Sequence, residues 1–309
     1  MLHLTSLDEA LPVFSALGSK LRVELVKILL EDGPMNMNEL AARLQITNGA
    51  LTSHIKKLEA CGIVTIDGDA GAHGNEKVCS VRLDGLLVEW KTARMQEQNV
   101  CSAEVRVGHY TDYEISPTCG LASSSSLIGE VDDPRYFAHD DRYQADLLWL
   151  TKGYVEYILP NFVPAAGRIE QIAVTAELGS ESPGHNNDWP SDIHFSLNHV
   201  PLGVWTSPGD FGDVRGALTP DWWYPNWNQY GLLKSVVINR EGTFIDGLRI
   251  SDTNTAELAL TGRSVLRFRF EVPEDAAHVG GLTIYGRSFG NYAQDIGVRI
   301  TYSLPGETE

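Results

Sequence analysis

Near residue 100 the apolar residues of this 309-residue chain change their period. Up to that point they recur every three or four positions, the spacing that gives a helix one apolar face. Beyond it they alternate or gather in short runs broken by Gly, Pro, Asn and Asp, the pattern of strands and turns. Charge changes at the same place: residues 1–100 carry 10 Lys+Arg against 13 Asp+Glu, and residues 101–309 carry 14 against 28. The sequence therefore predicts an α+β chain of two domains. Residues 1–100 form a mainly helical one and residues 101–309 an all-β sandwich of jelly-roll type.

In the first part, Leu7, Leu11, Phe14 and Leu17 share one helical face, Gly18 offers a stop, and Ser19 caps a second helix carrying Leu21, Leu25, Ile28 and Leu29. Gly33-Pro34 ends that helix, and a short one is predicted over 36–44. Thr47 is placed to cap a further helix over 48–60, with Leu51, Ile55 and Leu58 facing inward. Strand-like runs at 63–66 and 78–83 flank a polar, Gly-rich tip at 67–77, which reads as a hairpin. A last helix is predicted over 84–99, where Leu86, Leu87, Trp90 and Met95 make a stripe suited to packing on a second copy. Helices, then a hairpin, then a helix is the layout of a winged helix-turn-helix.

Here the sequence resembles the ArsR-type regulators, in Ala16-Leu17-Gly18-Ser19-Lys20-Leu21-Arg22 and in residues 40–64. The second stretch combines the turn spacing, Ser53-His54 before Ile55, and Leu58-Glu59-Ala60-Cys61-Gly62-Ile63 as the exit into the wing. The resemblance covers about the first third of the chain. It implies a dimeric, sequence-specific DNA-binding repressor, on an inverted-repeat operator, whose affinity a ligand switches. A recognition helix needs small or polar side chains at its exposed N-terminal end, and Thr47, Asn48, Gly49, Thr52, Ser53 and Lys56 supply them. Asn48 suits a bidentate contact to adenine and Thr52 a thymine methyl, while Lys56 and Lys57 suit phosphates. His73, Asn75 and Lys77 in the wing are placed to reach the neighbouring minor groove or backbone. Residues 47–58 hold two Lys and no acid, against the balance of the chain.

Metal- or arsenical-sensing members of that family use cysteine pairs at the start of the turn, or Asp, His and Glu on the last helix. Here those places read Met35-Asn36-Met37-Asn38-Glu39-Leu40, without a thiol, and residues 89–97, without a histidine. Soft-metal sites need thiolate or imidazole ligands, so the signal is expected to enter elsewhere. No cofactor-binding motif and no metal site is expected.

The second part offers strand candidates at 103–110, 147–159, 168–177, 192–197, 203–206, 232–239, 247–251, 264–272, 281–285 and 297–303. Five of the seven tryptophans, Trp189, Trp205, Trp222, Trp223 and Trp227, fall between residues 189 and 227. Flat aromatic faces beside Asp, Asn and Arg suit a polyhydroxylated ligand such as a carbohydrate, whose C–H groups stack while its hydroxyls pair with carboxylates and amides. Asp188, Asp192, Asp210, Asp213 and Arg215 stand near those tryptophans, and Arg287 and Asn291 lie on a later loop. The bland alternative is that the tryptophans plug the sandwich core. This part is also similar to the C-terminal region of a group of uncharacterised ArsR-type regulators, through Asp132-Asp133-Pro134-Arg135-Tyr136-Phe137, Trp205-Thr206-Ser207-Pro208-Gly209-Asp210-Phe211-Gly212 and Phe289-Gly290-Asn291-Tyr292.

The residues also suit two rival functions. A redox- or metal-responsive regulator would draw on Cys61, Cys79, Cys101 and Cys119, none in a CxxC pair, or on His185, His194 and His199 with Asp188 and Asp192. A glycosidase-like enzyme fused to the DNA-binding domain would need paired carboxylates about 5–9 Å apart, with Asp210, Asp213 and Asp221 available. No nucleophile elbow, phosphate loop or zinc-protease motif is present, and the reading is of a regulator, not an enzyme. A composition of 43% hydrophobic and 21% charged residues is that of a globular protein. The N-terminus lacks a basic segment followed by an apolar one, so a cytoplasmic protein without a membrane partner is expected.

Overall fold

The structure is a computed structural model that describes residues 2–4, 6–69, 76–81, 85–88 and 99–306. It divides into two compact units, Met1–Gln96 and Glu97–Glu309. None of its described helices is long and apolar enough to cross a membrane.

In the first unit β1 (Leu2–Leu4) is followed by helices α1 (Leu7–Leu17), α2 (Lys20–Glu31), α3 (Met37–Arg43) and α4 (Asn48–Glu59). Side chains cap three of them: the Ser6, Asn36 and Thr47 oxygens accept from the amides of Glu9, of Asn38 and Glu39, and of Ala50. Arg22 ties α2 to the end of α1. Its guanidinium is almost buried and donates to the Ser15 carbonyl at 2.8 Å and to that of Ala16, placing a cation at the negative end of the helix. The core gathers Leu25, Leu40, Leu51, Ile55 and Leu58, the last three as the helical spacing predicts. On α1 it is Ala10, Val13 and Ala16 that are buried, while Leu7, Leu11 and Phe14 are 52%, 64% and 41% exposed. The small side chains let α1 lie close to the core, so its large apolar ones project outward.

The wing is a three-stranded sheet in the order β2 (Met35–Asn36), β4 (Glu76–Val81), β3 (Val64–Asp69), with β4 in the middle. The two-residue β2, ahead of α3, carries no sequence signal of its own. The helix predicted over 84–99 meets a correction. Leu86–Val88 is a strand, β5, paired in parallel with β1, and residues 89–98 lie outside the described ones. The aliphatic run Leu86-Leu87-Val88 finds its partner in Leu2-His3-Leu4 some eighty residues earlier, a pairing that local periodicity does not reveal.

The second unit is an antiparallel sandwich. Its strands are β6 (Asn99–Val105), β7 (Asp112–Ala122), β8 (Leu127–Ile128), β9 (Leu147–Leu159), β10 (Arg168–Gly179), β11 (Ser191–Leu197), β12 (Val200–Ser207), β13 (Leu232–Ile238), β14 (Thr243–Ile245), β15 (Leu248–Ser251), β16 (Leu266–Val272), β17 (Leu282–Tyr285) and β18 (Ile296–Ser303). One layer runs β12-β11-β16-β9-β7-β8 and the other β15-β14-β13-β10-β18-β6. Strand β17 pairs with the first turn of residues in β9 and with the last of β10, so both layers belong to one hydrogen-bonded path, a nearly closed barrel-like sandwich. The α+β class read from the sequence holds. Leu266, Phe268, Phe270 and Val272 alternate inward along β16, as predicted.

Four strands differ from the sequence reading, and of these the short β8 and β14 have no counterpart among its candidates. The candidate at 103–110 stops at Val105 and passes into a 3-10 turn, Val107–His109. Strand β7 was not among the candidates, because Pro117 interrupts its alternation. The chain accommodates that proline at a register shift between Ser116 and Cys119.

Strand β9 departs from simple alternation. Leu147, Leu148, Trp149 and Leu150 are all buried. Leu148 and Leu150 enter the main core, whereas Leu147 and Trp149 face a second, smaller core with Ala122, Trp223, Tyr285 and Phe289. Room for the Trp149 indole comes from Gly120 on the neighbouring strand, where a Cβ would stand 2.1 Å from the ring.

Glu177, at the end of β10, holds the loops over this second core. Its buried carboxylate accepts from the backbone N–H groups of Gly231, Asn291 and Tyr292 at 2.9–3.0 Å. Gly290 is needed beside it: φ is +72° and a Cβ would lie 2.2 Å from a Glu177 oxygen. Glu177→Ala takes the acceptor from three backbone donors, that of Gly231 buried and those of Asn291 and Tyr292 part-buried, and is expected to lower the stability of this unit by about 2 kcal/mol or more. Urea unfolding followed by tryptophan fluorescence measures this, since six of the seven tryptophans lie in the unit; a loss below about 1 kcal/mol contradicts it.

Candidate nucleic-acid interface and aromatic cleft

The exposed face of α4 begins at its cap. Thr47, Asn48, Gly49, Thr52, Ser53, Lys56 and Lys57 are all exposed, opposite Leu51, Ile55 and Leu58. Gly49 leaves open space, with nothing within 4 Å of where a Cβ would sit. The Asn48 amide donates to Asn38 Oδ1 at 2.7 Å, and the Thr52 hydroxyl donates to the Asn48 carbonyl at 2.8 Å. Asn38 thus ties the Asn48 side-chain amide to α3. Asn38 was not singled out from the sequence; only the packing of α3 on α4 brings it ten residues back onto this face. Lys56 and Lys57 occupy the last turn of α4, where the helix dipole favours cations. In the wing, His73 and Asn75 lie outside the described residues, and Lys77 sits in β4.

The tryptophans of the second unit separate into three environments. Trp189 is exposed on a loop, with its backbone N–H donating to the Pro208 carbonyl. Trp205 packs on the main core under the Lys234 ammonium, 4.8 Å from its ring centre. Trp222, Trp223 and Trp227 cluster with Trp149, a residue not among the candidates. Trp149, Trp223 and Trp227 are nearly orthogonal to one another: the three pairs have centroids 5.8, 6.3 and 5.0 Å apart and interplanar angles of 71°, 69° and 83°. The buried Trp223 indole donates to the Asn228 carbonyl at 2.7 Å, and Trp222 donates to that of Ser124 at 2.8 Å.

Most of the polar candidates are held by internal partners. Asp192 accepts from the Thr206 hydroxyl at 2.7 Å and from the His278 amide at 2.9 Å; these bonds outweigh its burial and keep its carboxyl below the usual range. Asp213 accepts from Tyr230, Arg287 is paired with Asp295 and Glu104, and Asn291 accepts from the Ala217 amide. Arg215 donates to the Pro220 carbonyl beside Asp221. Asp188 is exposed, with its amide donating to Asn186.

A cleft of about 160 Å³ opens beside the tryptophan cluster. Trp149, Trp223 and Trp227 form one wall, and Thr118, Asp132, Glu181, Ser182 and Asn228 supply its polar groups. Among the described residues no Lys, Arg or His lines it. Glu181 receives a hydrogen bond from Thr118 at 3.2 Å, and burial together with the nearby Asp210 carboxyl pushes its acid well above the usual carboxylate range. Behind the rim, Asp210 is fully buried. One of its oxygens accepts from the Ser182 amide and hydroxyl at 3.0 and 3.1 Å, and the other has no hydrogen-bond partner. Glu181, Thr118, Asp132 and Trp149 come from three well-separated stretches of chain, so spacing gave no sign of the cleft.

Residues 19–65 match the family model of the bacterial regulatory proteins, arsR family. This segment is an ArsR-family helix-turn-helix. The match spans α2 to the start of the wing, so the polar face of α4 belongs to a DNA-binding module of a transcriptional regulator. HlyU from Vibrio cholerae is similar to the chain at 19% identity, over 29% of this chain and 82% of its own, with a TM-score of 0.22; its reduced form gives 25% and 76%, also at 0.22. Over the larger part, the catalytic domain of Agl-KA is 8% identical, covering 66% of this chain and 31% of its own, with a TM-score of 0.27. The catalytic domain of a GH87 alpha-1,3-glucanase, in complex with tetrasaccharides, is 11% identical over 68% and 29%, at 0.24. At TM-scores this low, none of these likenesses bears on function. No curated protein matches the chain.

The cysteines and acids of the rival readings are placed as follows. All four cysteines are free thiols. Burial pushes Cys119 up to about 12 and raises Cys79 as well, so neither is a thiolate near neutrality. Cys61 donates to the Pro12 carbonyl. Among the described residues no group of three His, Cys, Asp or Glu side chains is placed to hold a metal ion.

Burial raises Asp210 to about 7 in the folded state, against about 3.9 in an unfolded chain. Between those values the folded unit keeps a proton that the unfolded chain has released, so this group's contribution to stability falls as pH rises from about 4 to about 7. Relative to Asp210→Asn, the wild type is expected to lose on the order of a few kcal/mol across that window. Urea unfolding of both proteins at a series of pH values tests it, and a pH-independent difference contradicts it.

Proposed function

We propose that this chain is a sequence-specific DNA-binding transcriptional regulator, a cytoplasmic repressor acting as a homodimer on an inverted-repeat operator. The observation that carries this reading is the ArsR-family segment at 19–65, whose α4 presents Thr47, Asn48, Gly49, Thr52, Ser53, Lys56 and Lys57 with no acid among residues 47–58. Asn48 and Thr52 read base edges in the major groove, and Lys56 and Lys57 hold phosphates. His73, Asn75 and Lys77 extend the contact through the wing. The β unit takes up a small effector of the carbohydrate class, and DNA affinity changes to the extent that the effector prefers one state of the regulator. The chain has a regulatory and not a catalytic role.

Exposed Leu7, Leu11 and Phe14 on α1 support self-association through the first unit. Leu11→Glu is expected to shift the protein from dimer to monomer in sedimentation velocity at micromolar concentration. An unchanged sedimentation coefficient removes α1 from the dimer contact.

Duplexes selected from a random pool test the DNA reading. Lys56→Ala is expected to weaken binding to every duplex alike and to reduce the salt slope by about 1. Asn48→Ala is expected to lose about 1–3 kcal/mol of discrimination at one base pair. Failure to enrich any duplex, or an Asn48→Ala protein as selective as the wild type at every position, refutes the assignment of α4.

A further inference from the structure

We propose, resting on the effector reading above, that the cleft beside Trp149, Trp223 and Trp227 binds a single neutral, polyhydroxylated unit of pyranose size. Glu181, Asp132 and Asn228 would hold its hydroxyls. Four observations narrow the ligand. A volume of about 160 Å³ admits one six-membered ring with its hydroxyls. The half-buried Trp227 edge of the tryptophan wall asks for a ligand with an apolar C–H face, because its exposed indole is otherwise apolar surface left in water. The polar groups opposite it ask for hydrogen-bonding groups in the same small molecule.

Charge narrows it further. With no Lys, Arg or His in the lining, phosphates and carboxylates find no counter-ion and meet Asp132 instead. A cation meets the single carboxylate of Asp132 at the rim, and burial with the neighbouring Asp210 keeps Glu181 from adding a second charge. Thr283 donates to the Ser180 carbonyl at 2.9 Å, accepts from the Asn228 amide at 3.3 Å and stands 3.5 Å from Glu181. An uncharged carboxyl both donates and accepts, which matches a hydroxyl. This assignment moves the candidate site away from Asp192, Asp213, Arg287 and Asn291, none of which lines the cleft.

The full-length protein would be titrated with D-glucose, D-galactose, D-mannose and N-acetyl-D-glucosamine, with sodium D-glucuronate and tetramethylammonium chloride as charged counterparts, by calorimetry and tryptophan fluorescence. The expected result is saturable one-to-one binding of at least one neutral sugar and of neither charged compound. Trp227→Ala is expected to weaken that binding about ten-fold or more, while Glu181→Gln, which keeps an uncharged donor and acceptor, stays within about three-fold. Circular dichroism confirms that both variants fold; should Trp227→Ala fail to fold, Asp132→Ala on the exposed rim replaces it, with the same loss expected. Binding of no neutral sugar at about 100 mM, tighter binding of a charged compound, or a wild-type affinity in the rim variant overturns the proposal. Duplex binding by the same preparation separates the two readings: intact DNA binding without sugar binding sinks the cleft alone, and loss of DNA binding sinks the regulator.

Discussion

The β unit depends on one strand being buried on both faces. Along β9 the run Leu147-Leu148-Trp149-Leu150 sends two side chains into the sandwich and two away from it. Side chains facing away from a sandwich normally meet water; here they meet a second core to which the loops contribute Trp223 and Phe289. Burying an indole and a leucine on that outer face contributes several kcal/mol by area alone. The gain requires the loops that carry Trp223 and Phe289 to be ordered. Glu177 does that ordering, through backbone donors on both loops.

The cleft follows from this arrangement. Once Trp149 is turned outward and covered by Trp223, the edge of the cover is lined by Trp227, and the adjoining segments bring Glu181 and Asp132 to the rim. Asp210, fully buried behind Ser182, reinforces the acid character of that rim while keeping it from ionising freely. In the helical unit the division of labour is sharper. The inward residues of α4 anchor it, and among the described residues its outward ones bond only to local caps and Asn38.

Some features were plain in the chain. The spacing of Leu51, Ile55 and Leu58, the cap at Thr47 and the motif through Gly62 marked the helix-turn-helix and its exposed face, because helical burial repeats locally and capping acts within three residues. The alternation of β16 was equally clear. The tryptophan-rich stretch at 189–227 was a visible signal, but position along the chain did not separate Trp189 on a loop, Trp205 on the main core and Trp223 in the second core. Aromatic residues serve cores and ligand surfaces alike, so composition alone does not assign them.

Local pattern by itself settled the two-part organisation, the class of each part and the face that α4 turns outward. Pairing over long distances decided the rest. Strand β5 formed where a helix was expected because Leu86–Val88 met the N-terminal strand. Thr118, Glu181 and Trp149 became neighbours only when β7, β9 and the end of β10 were aligned. Such contacts join segments whose own propensities are silent about each other, and their energy exists only once the sheet has closed.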